Sequence, residues 1–453
     1  MERPQRILQI KFMKIITLSF LIFSIVTCGK QGQYNNIYLS ENKIVTDSII
    51  KKSNFKSLLL KMRFQSNYPM LNVSPDKYDE AVSSPKSVVF SADGKKFYVH
   101  SLEGFTTIVY DAEKITKIKE IKHVFDATNN GLFLNNESSV FNYPFRQKQE
   151  NFNHFMGKPV ESCLSHNGKY LWVTYYRRDW DENAASPSAV AIIDTATDMI
   201  VRVMPTGPLP KMIACSPNNK FIAVTHWGDN TVGIIDISSE NVFDFQYTKK
   251  IVIDKQLTLN YDDKQKVDRD NECGNCLRGT IFTPDSKTLL VAKMGGNGIA
   301  KISTTDFKYK GTFTGMKGNI RHLVINNNNL IVSSNKFGFV QRTKIDSILS
   351  IRSSKATQLI PTKHWKTTFV GIGARTIDVS SDGKYIFVCV NNENKISVIE
   401  VKTMQVIYNT EASKYPVGMA LSPNGKMLVV TSQGKTNQEY TGNVVAVYEV
   451  VFD

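Results

Sequence analysis

The chain has 453 residues, enough for several small domains, and its 42% apolar and 10% aromatic content excludes a disordered or fibrous polypeptide. With 56 Lys and Arg against 41 Asp and Glu, its formal charge is +15, which favours anionic partners over cationic ones. The first 27 residues hold four bases and one acid, so the remainder still carries +12 without them.

The amino terminus reads as an export signal over residues 1–27. Met13-Lys14 opens a basic start, Ile15 to Val26 is an apolar run, and Cys28 follows almost directly. That run is shorter than the ~20 residues a membrane span needs. Ile25-Val26-Thr27-Cys28 resembles the bacterial lipobox, in which the cysteine is acylated and becomes the first mature residue. Thr27 departs from the usual small residue, and an ordinary signal peptide is the competing reading. Residues 28–55 are polar and read as a tether, which makes Cys28 the expected lipid anchor and the membrane a partner.

Within residues 56–453, read as one domain, one pattern recurs seven times between residues 84 and 430. The copies begin at Ser84 (SPKSVVFSADGKKFYV), Lys158, Leu209, Cys276, Asn319, Gly373 and Tyr415 (YPVGMALSPNGKMLVV). Each has an apolar run, a Ser-x-Asp/Asn-Gly-Lys-like turn, and two further apolar runs. A period of roughly 40–70 residues built from short strands predicts an all-β, seven-bladed β-propeller of four-stranded antiparallel blades. Continuous Val and Ile, as in Ala189–Asp194, fit strands packed on both faces. The last copy ends too early for a fourth strand, and Ser57 to Phe64 is an unassigned strand-length run. We therefore expect an amino-terminal strand to close the ring. Val140 to Phe145 reads as the fourth strand of the first blade or as part of a degenerate eighth, and residues 254–275 as a hydrophilic insertion.

These repeats resemble the bacterial YVTN-type β-propeller family, whose pattern is Pro-x-Gly-apolar-Ser-Pro-Asp-Gly-Lys followed by Tyr-Val-small-Asn. Tyr415–Val430 and Leu209–Thr225 are the nearest copies, and the resemblance spans residues 84–450. It implies a seven-bladed ring. For function it allows surface proteins, binding modules and, in a related group, lactonases.

Aligning the starts of the seven copies gives one column: Lys86, Val160, Lys211, Arg278, Arg321, Arg375 and Val417. Five cations at the mouth of one channel would attract an anion, and arginine offers paired contacts to carboxylate or phosphate. The competing reading has them pairing with acids such as Glu161 and Asp378. Tyr176, Arg177, His226 and Trp227 fall in the connections expected beside that mouth and complete the candidate ligand-binding set.

Enzyme motifs are missing: there is no G-x-S-x-G, H-E-x-x-H or phosphate loop, and no metal-ligand cluster, so no cofactor or metal is expected. A lactonase-like hydrolase or isomerase would have to draw on His226, His322, Asp229 and Glu161. Cys273 and Cys276 form C-x-x-C, which in an exported chain reads first as a disulfide and second as a redox pair. Cys163, Cys215 and Cys389 read as buried apolar residues. The expectation is a monomeric, lipid-anchored envelope protein that binds an anionic small molecule, a glycan, or a surface or host protein. Export removes nucleic acid as a target. Metabolic labelling with a fatty-acid analogue should tag the wild type and spare Cys28→Ala; equal labelling would refute the anchor.

Overall fold

The repeat motif owes its constancy to a hydroxyl-centred turn. In the first copy Ser91 Oγ donates to Asp93 Oδ1 (2.7 Å) and accepts from the Lys96 amide (3.0 Å). Gly94 supplies the left-handed backbone, at φ 72°, that such a reversal needs. The same geometry recurs at Thr283 with Asp285, at Ser380 with Asp382, and at Ser216 and Ser422 with Asn218 and Asn424. A hydroxyl followed two residues later by Asp or Asn is what the turns share, because the hydroxyl and the side-chain oxygen replace the backbone partners that the reversal removes; Gly, Asn or Ser takes the left-handed position.

The computed structural model of the protein describes residues 54–66, 75–134, 153–178, 184–259, 267–351, 359–434 and 442–453. Cys28, the proposed signal and tether up to residue 53, and the Val140–Phe145 run lie outside them. Seven sheets form seven blades: 85–122, 155–208, 210–252, 277–314, 320–369, 374–411, and 416–452 completed by 55–65. Except where the amino-terminal strand completes blade 7, the four strands of each blade follow one another in chain order. Blades 4 and 7 carry a short fifth strand beyond the fourth, and in blade 2 the short strand Val124–Phe125 pairs with the start of the first. The fourth strand of blade 1 is Thr116–Lys122, so Val140–Phe145 is not needed for that role. Middle strands such as Tyr385–Val390 are buried at every position and pack against the neighbouring blade. Among the described residues no helix is long and apolar enough to cross a membrane.

The amino-terminal strand closes the ring. Phe55–Gln65 pairs antiparallel with Val444–Phe452, placing Phe55 opposite Phe452 and Gln65 opposite Val444. Without it, the last strand of blade 7 would present an open edge. Phe55 locks the junction: it is buried, and its ring lies 5.4–6.1 Å from those of Tyr385, Phe387, Tyr408 and Phe452. Arg63 then ties the short strand Asp76–Tyr78 to this edge, with Nε 2.5 Å from Asp76 Oδ1.

Every first strand breaks its ladder in the same place. The register with the second strand shifts between Pro85 and Val88, Pro159 and Glu161, Pro210 and Met212, and Leu277 and Thr280. It shifts again between Ile320 and His322, Ala374 and Ile377, and Pro416 and Gly418. The first residues skipped form the aligned column Lys86, Val160, Lys211, Arg278, Arg321, Arg375 and Val417, and Ser87, Gly279 and Thr376 are skipped with it in three blades. Six copies also place a left-handed residue two positions earlier: Ser84, Leu209, Cys276, Asn319, Gly373 and Tyr415. Its carbonyl accepts a hydrogen bond from the residue following the second strand, for example Trp227 N to Leu209 O at 3.0 Å. A bulge of this kind re-aims a side chain away from the sheet.

Truncating Phe55→Ala should cost about 3–5 kcal/mol, the usual loss for a buried aromatic. Urea titration followed by circular dichroism checks this; a loss below about 1 kcal/mol would show that closure does not depend on the ring.

Candidate functional site

The five column cations meet at the axis. Lys86 of blade 1 feels the charges of Arg375, Arg278, Arg321 and Lys211, from blades 6, 4, 5 and 3. Side chains from so many blades come within reach only where the first strands converge. Arg278 Nη2 lies 3.4 Å from Glu161 Oε1, joining blade 4 to blade 2 past the intervening blade. The backbone behind the column is latched between blades. Thr225, Ser333 and Thr431 donate their hydroxyls to the carbonyls of Arg278, Arg375 and Lys86 in the next blade.

Burial sets the electrostatics. It pulls Lys86 well below the ordinary lysine value, and the four surrounding cations pull it further. Arg321 is lowered by burial and then by Arg375 and Arg278. Burial lowers Arg375 to about 10, with Arg278 adding to the effect while Tyr415 and Glu161 oppose it. The partners of these three are neutral. Lys86 Nζ donates to Gln433 Oε1 (3.2 Å), Arg375 Nε donates to the Val417 carbonyl (3.1 Å), and Arg321 Nη1 lies 3.7 Å from Met294 Sδ. Among the described residues none of the three has a carboxylate within ion-pair distance.

The other side of the cluster is neutralised from the insertion. Asp270 accepts from Tyr176 Oη, from Arg177 Nη2 and from Lys211 Nζ, the last at 3.3 Å. Lys211 Nζ also lies 3.9 Å from the centre of the Tyr176 ring and 5.0 Å from that of Trp227. Burial works against a charged Asp270, yet Lys211, Tyr176 and Arg177 outweigh it and hold its pKa below the usual range. Burial brings Lys211 down to about 7; Asp270 opposes this shift, and Arg278 and Arg321 reinforce it.

The insertion is pinned at both ends. Lys293 Nζ holds Asp254 Oδ2 at 2.5 Å, Asn275 Nδ2 donates to the Ile253 carbonyl, and a disulfide joins Cys273 to Cys276 two residues before Arg278.

Of the nine candidate ligand contacts, eight therefore fall in one cluster: the five column cations, Tyr176, Arg177 and Trp227. Tyr176 and Arg177 sit in the strand Tyr170–Arg178 rather than in a loop, because blade 2 extends its second strand. His226 belongs to the wall of blade 3. It is fully buried, its Nε2 lies 2.8 Å from Thr206 Oγ1 and its Nδ1 2.9 Å from Thr231 Oγ1. Burial lowers its pKa to about 3. Asp229 is likewise internal, accepting from Thr231 and Gln256. His322 feels Arg278 and Arg321, so only Glu161 and His322 of the residues a hydrolase would draw on adjoin the cations. Asp378 is no cation partner: it accepts the amides of Leu421 and Val379, and burial raises it to about 6. Asp270 was invisible in the sequence, one acid among several in a polar insertion.

Glu161→Gln should destabilise the fold by about 3 kcal/mol, because it strands buried cations that the carboxylate partly offsets. Millimolar sulfate should restore part of that loss in a thermal melt; an unaltered melting temperature would show the pair to be energetically idle.

No curated protein sequence matches the chain significantly. Among solved structures, the β-propeller domain of Cps50 (Swd1) from Myceliophteria thermophila is similar at TM-score 0.55 and 11% identity, covering 88% of this chain and 100% of that one. Hydrazine synthase of Kuenenia stuttgartiensis is similar at TM-score 0.54 and 13% identity, covering 85% and 99%. At such identities these likenesses speak for the fold alone. Residues 163–443 match the profile described as "Lactonase, 7-bladed beta-propeller", more than half of the sequence, and the chain thus belongs to that family of seven-bladed propellers.

Proposed function

We propose that this propeller is an exported, membrane-tethered protein that binds a small anionic ligand at the axis of its ring. One observation carries the reading: half-buried Lys86 and Arg321 and buried Arg375 are gathered from three blades into one cluster without a carboxylate partner among the described residues. Like charges held together and partly shielded from water cost free energy unless a counter-charge arrives. A carboxylate or phosphate would supply it, and arginine suits either. Tyr176 and Trp227 add flat faces on which a sugar or other ring can lie. The tether rests on the lipobox-like Cys28, and the Cys273–Cys276 disulfide fits an oxidising compartment.

A second reading, a hydrolase or isomerase acting on a lactone, draws on family membership and on Glu161, a carboxylate set among the cations. Under it Glu161 would handle the proton and the arginines the developing negative charge. The two readings part at Glu161→Gln. A binder keeps its affinity for anions and turns over no lactone in any form. An enzyme hydrolyses a lactone as wild type and loses that activity in the variant.

Sulfate and citrate, titrated calorimetrically, should bind the wild type and weaken at least tenfold in Arg321→Gln. Affinity should fall with added NaCl, since partly exposed charges are screened over about 8–10 Å at physiological ionic strength. The pH dependence follows from Lys211. An anion settling on Lys86, Arg321 and Arg375 offsets the Arg321 charge that helps to depress Lys211, so the ligand-free value near 7 must rise and binding takes up a proton. Sulfate affinity should therefore be highest below pH 7 and decline as pH rises through it. Salt-independent binding, or affinity rising with pH, would count against the site.

A further inference from the structure

The cation cluster is divided, and the division comes from the insertion. On one side Asp270 already holds Tyr176, Arg177 and Lys211; on the other Lys86, Arg321 and Arg375 have only neutral partners among the described residues. Resting on the anion-site reading above, we propose that Asp270 is its specificity-determining residue. Its carboxylate acts as a built-in anion, so that the site accepts a ligand with one anionic head and an uncharged, hydroxyl-bearing remainder. The head sits on Lys86, Arg321 and Arg375. The remainder lies along Tyr176, Trp227 and Asp270.

Three observations carry this. Asp270 is fixed in place: its amide donates to Asp268 Oδ1 (2.9 Å), and its carbonyl accepts from Trp227 Nε1 (3.0 Å). Arg269 beside it donates to the Thr258 and Glu272 carbonyls, and the Cys273–Cys276 disulfide follows. A carboxylate so held does not swing away cheaply to admit a second anion. Asp270 is also not sealed in: its side chain is 26% exposed, and it lies against Lys211, a member of the cation column. Lastly, an ionised carboxylate has about four acceptor positions, and its three donors leave room for a ligand hydroxyl. A second anionic group at the same spot would meet like charge at short range. Selectivity here is mostly rejection, built into the protein as a fixed negative group.

The test compares fructose 6-phosphate with fructose 1,6-bisphosphate on the purified mature chain with its disulfide intact, by calorimetry at low salt. The measured quantity is the ratio of the two dissociation constants. Asp270→Asn keeps an acceptor for Tyr176 and Arg177 but removes the charge, and should shift the ratio at least tenfold toward the bisphosphate. Asp270→Glu should restore wild-type selectivity. A ratio within twofold of wild type in Asp270→Asn, while both sugars still bind, overturns the role of Asp270 and leaves the anion site standing. If neither sugar binds the wild type and Arg321→Gln changes nothing, the anion site itself fails. Asp270→Ser serves if the asparagine variant does not fold. Failure of both neutral variants to fold would make Asp270 a structural residue and overturn the proposal.

Discussion

Each first strand has to start beside the axis, and the way it starts constrains the rest of the site. A left-handed residue turns the chain in, a hydrogen bond from the end of the second strand fixes that turn in six blades, and the ladder then slips. The skipped position keeps its backbone carbonyl occupied, as where Ser333, Thr225 and Thr431 reach it from the preceding blade. Its side chain is thereby released from sheet packing. Seven such positions surround one axis, so the nature of seven side chains largely sets what the channel can hold. Here five are cationic, and Val160 and Val417 are not.

Gathering five cations runs against stability, and the fold tolerates it for two reasons. The large cores lie between blades, outward from the axis. One joins Ile213, Trp172 and Ile235 across blades 2 and 3, and another joins Phe387, Val430 and Phe55 at the closure. Their apolar burial is independent of what the channel mouth contains. Glu161 and Asp270 then offset part of the charge, which leaves a deficit on one side only. Sites of this kind, costly to the fold and off-balance in charge, are where function tends to sit.

Histidine contributes little to this balance. His100, His123 and His226 are fully buried and their pKa values fall to about 3, so they stay neutral at physiological pH. They act as hydrogen-bonding scaffold: His123 bridges Thr107 of blade 1 and Tyr175 of blade 2. The group placed to respond near neutrality is Lys211, because burial and cationic neighbours bring its value into that range. A lysine thus takes the part that sequence reasoning would first assign to a histidine.

Much of the architecture was legible because it is written in short-range chemistry. Ser91-Ala92-Asp93-Gly94 states its own turn, seven recurrences state a ring, and the stranded run Ser57–Phe64 states how the ring closes. The column of cations could also be aligned from repeat spacing alone. The direction of those side chains could not be read, since strand alternation permits two faces and the bulge that decides between them is made by pairing with a neighbouring strand. His226 and Trp227 are adjacent in sequence, yet one is sealed in a blade wall and the other caps Lys211. Asp270 was the residue furthest from view. It lies in an insertion with no repeat to align against, and its meaning comes from Tyr176, Arg177 and Lys211, 59 to 94 residues away. Local propensity and periodicity determine blades; which charges meet at the axis, and which are already answered, is decided only when the ring closes and brings distant segments together.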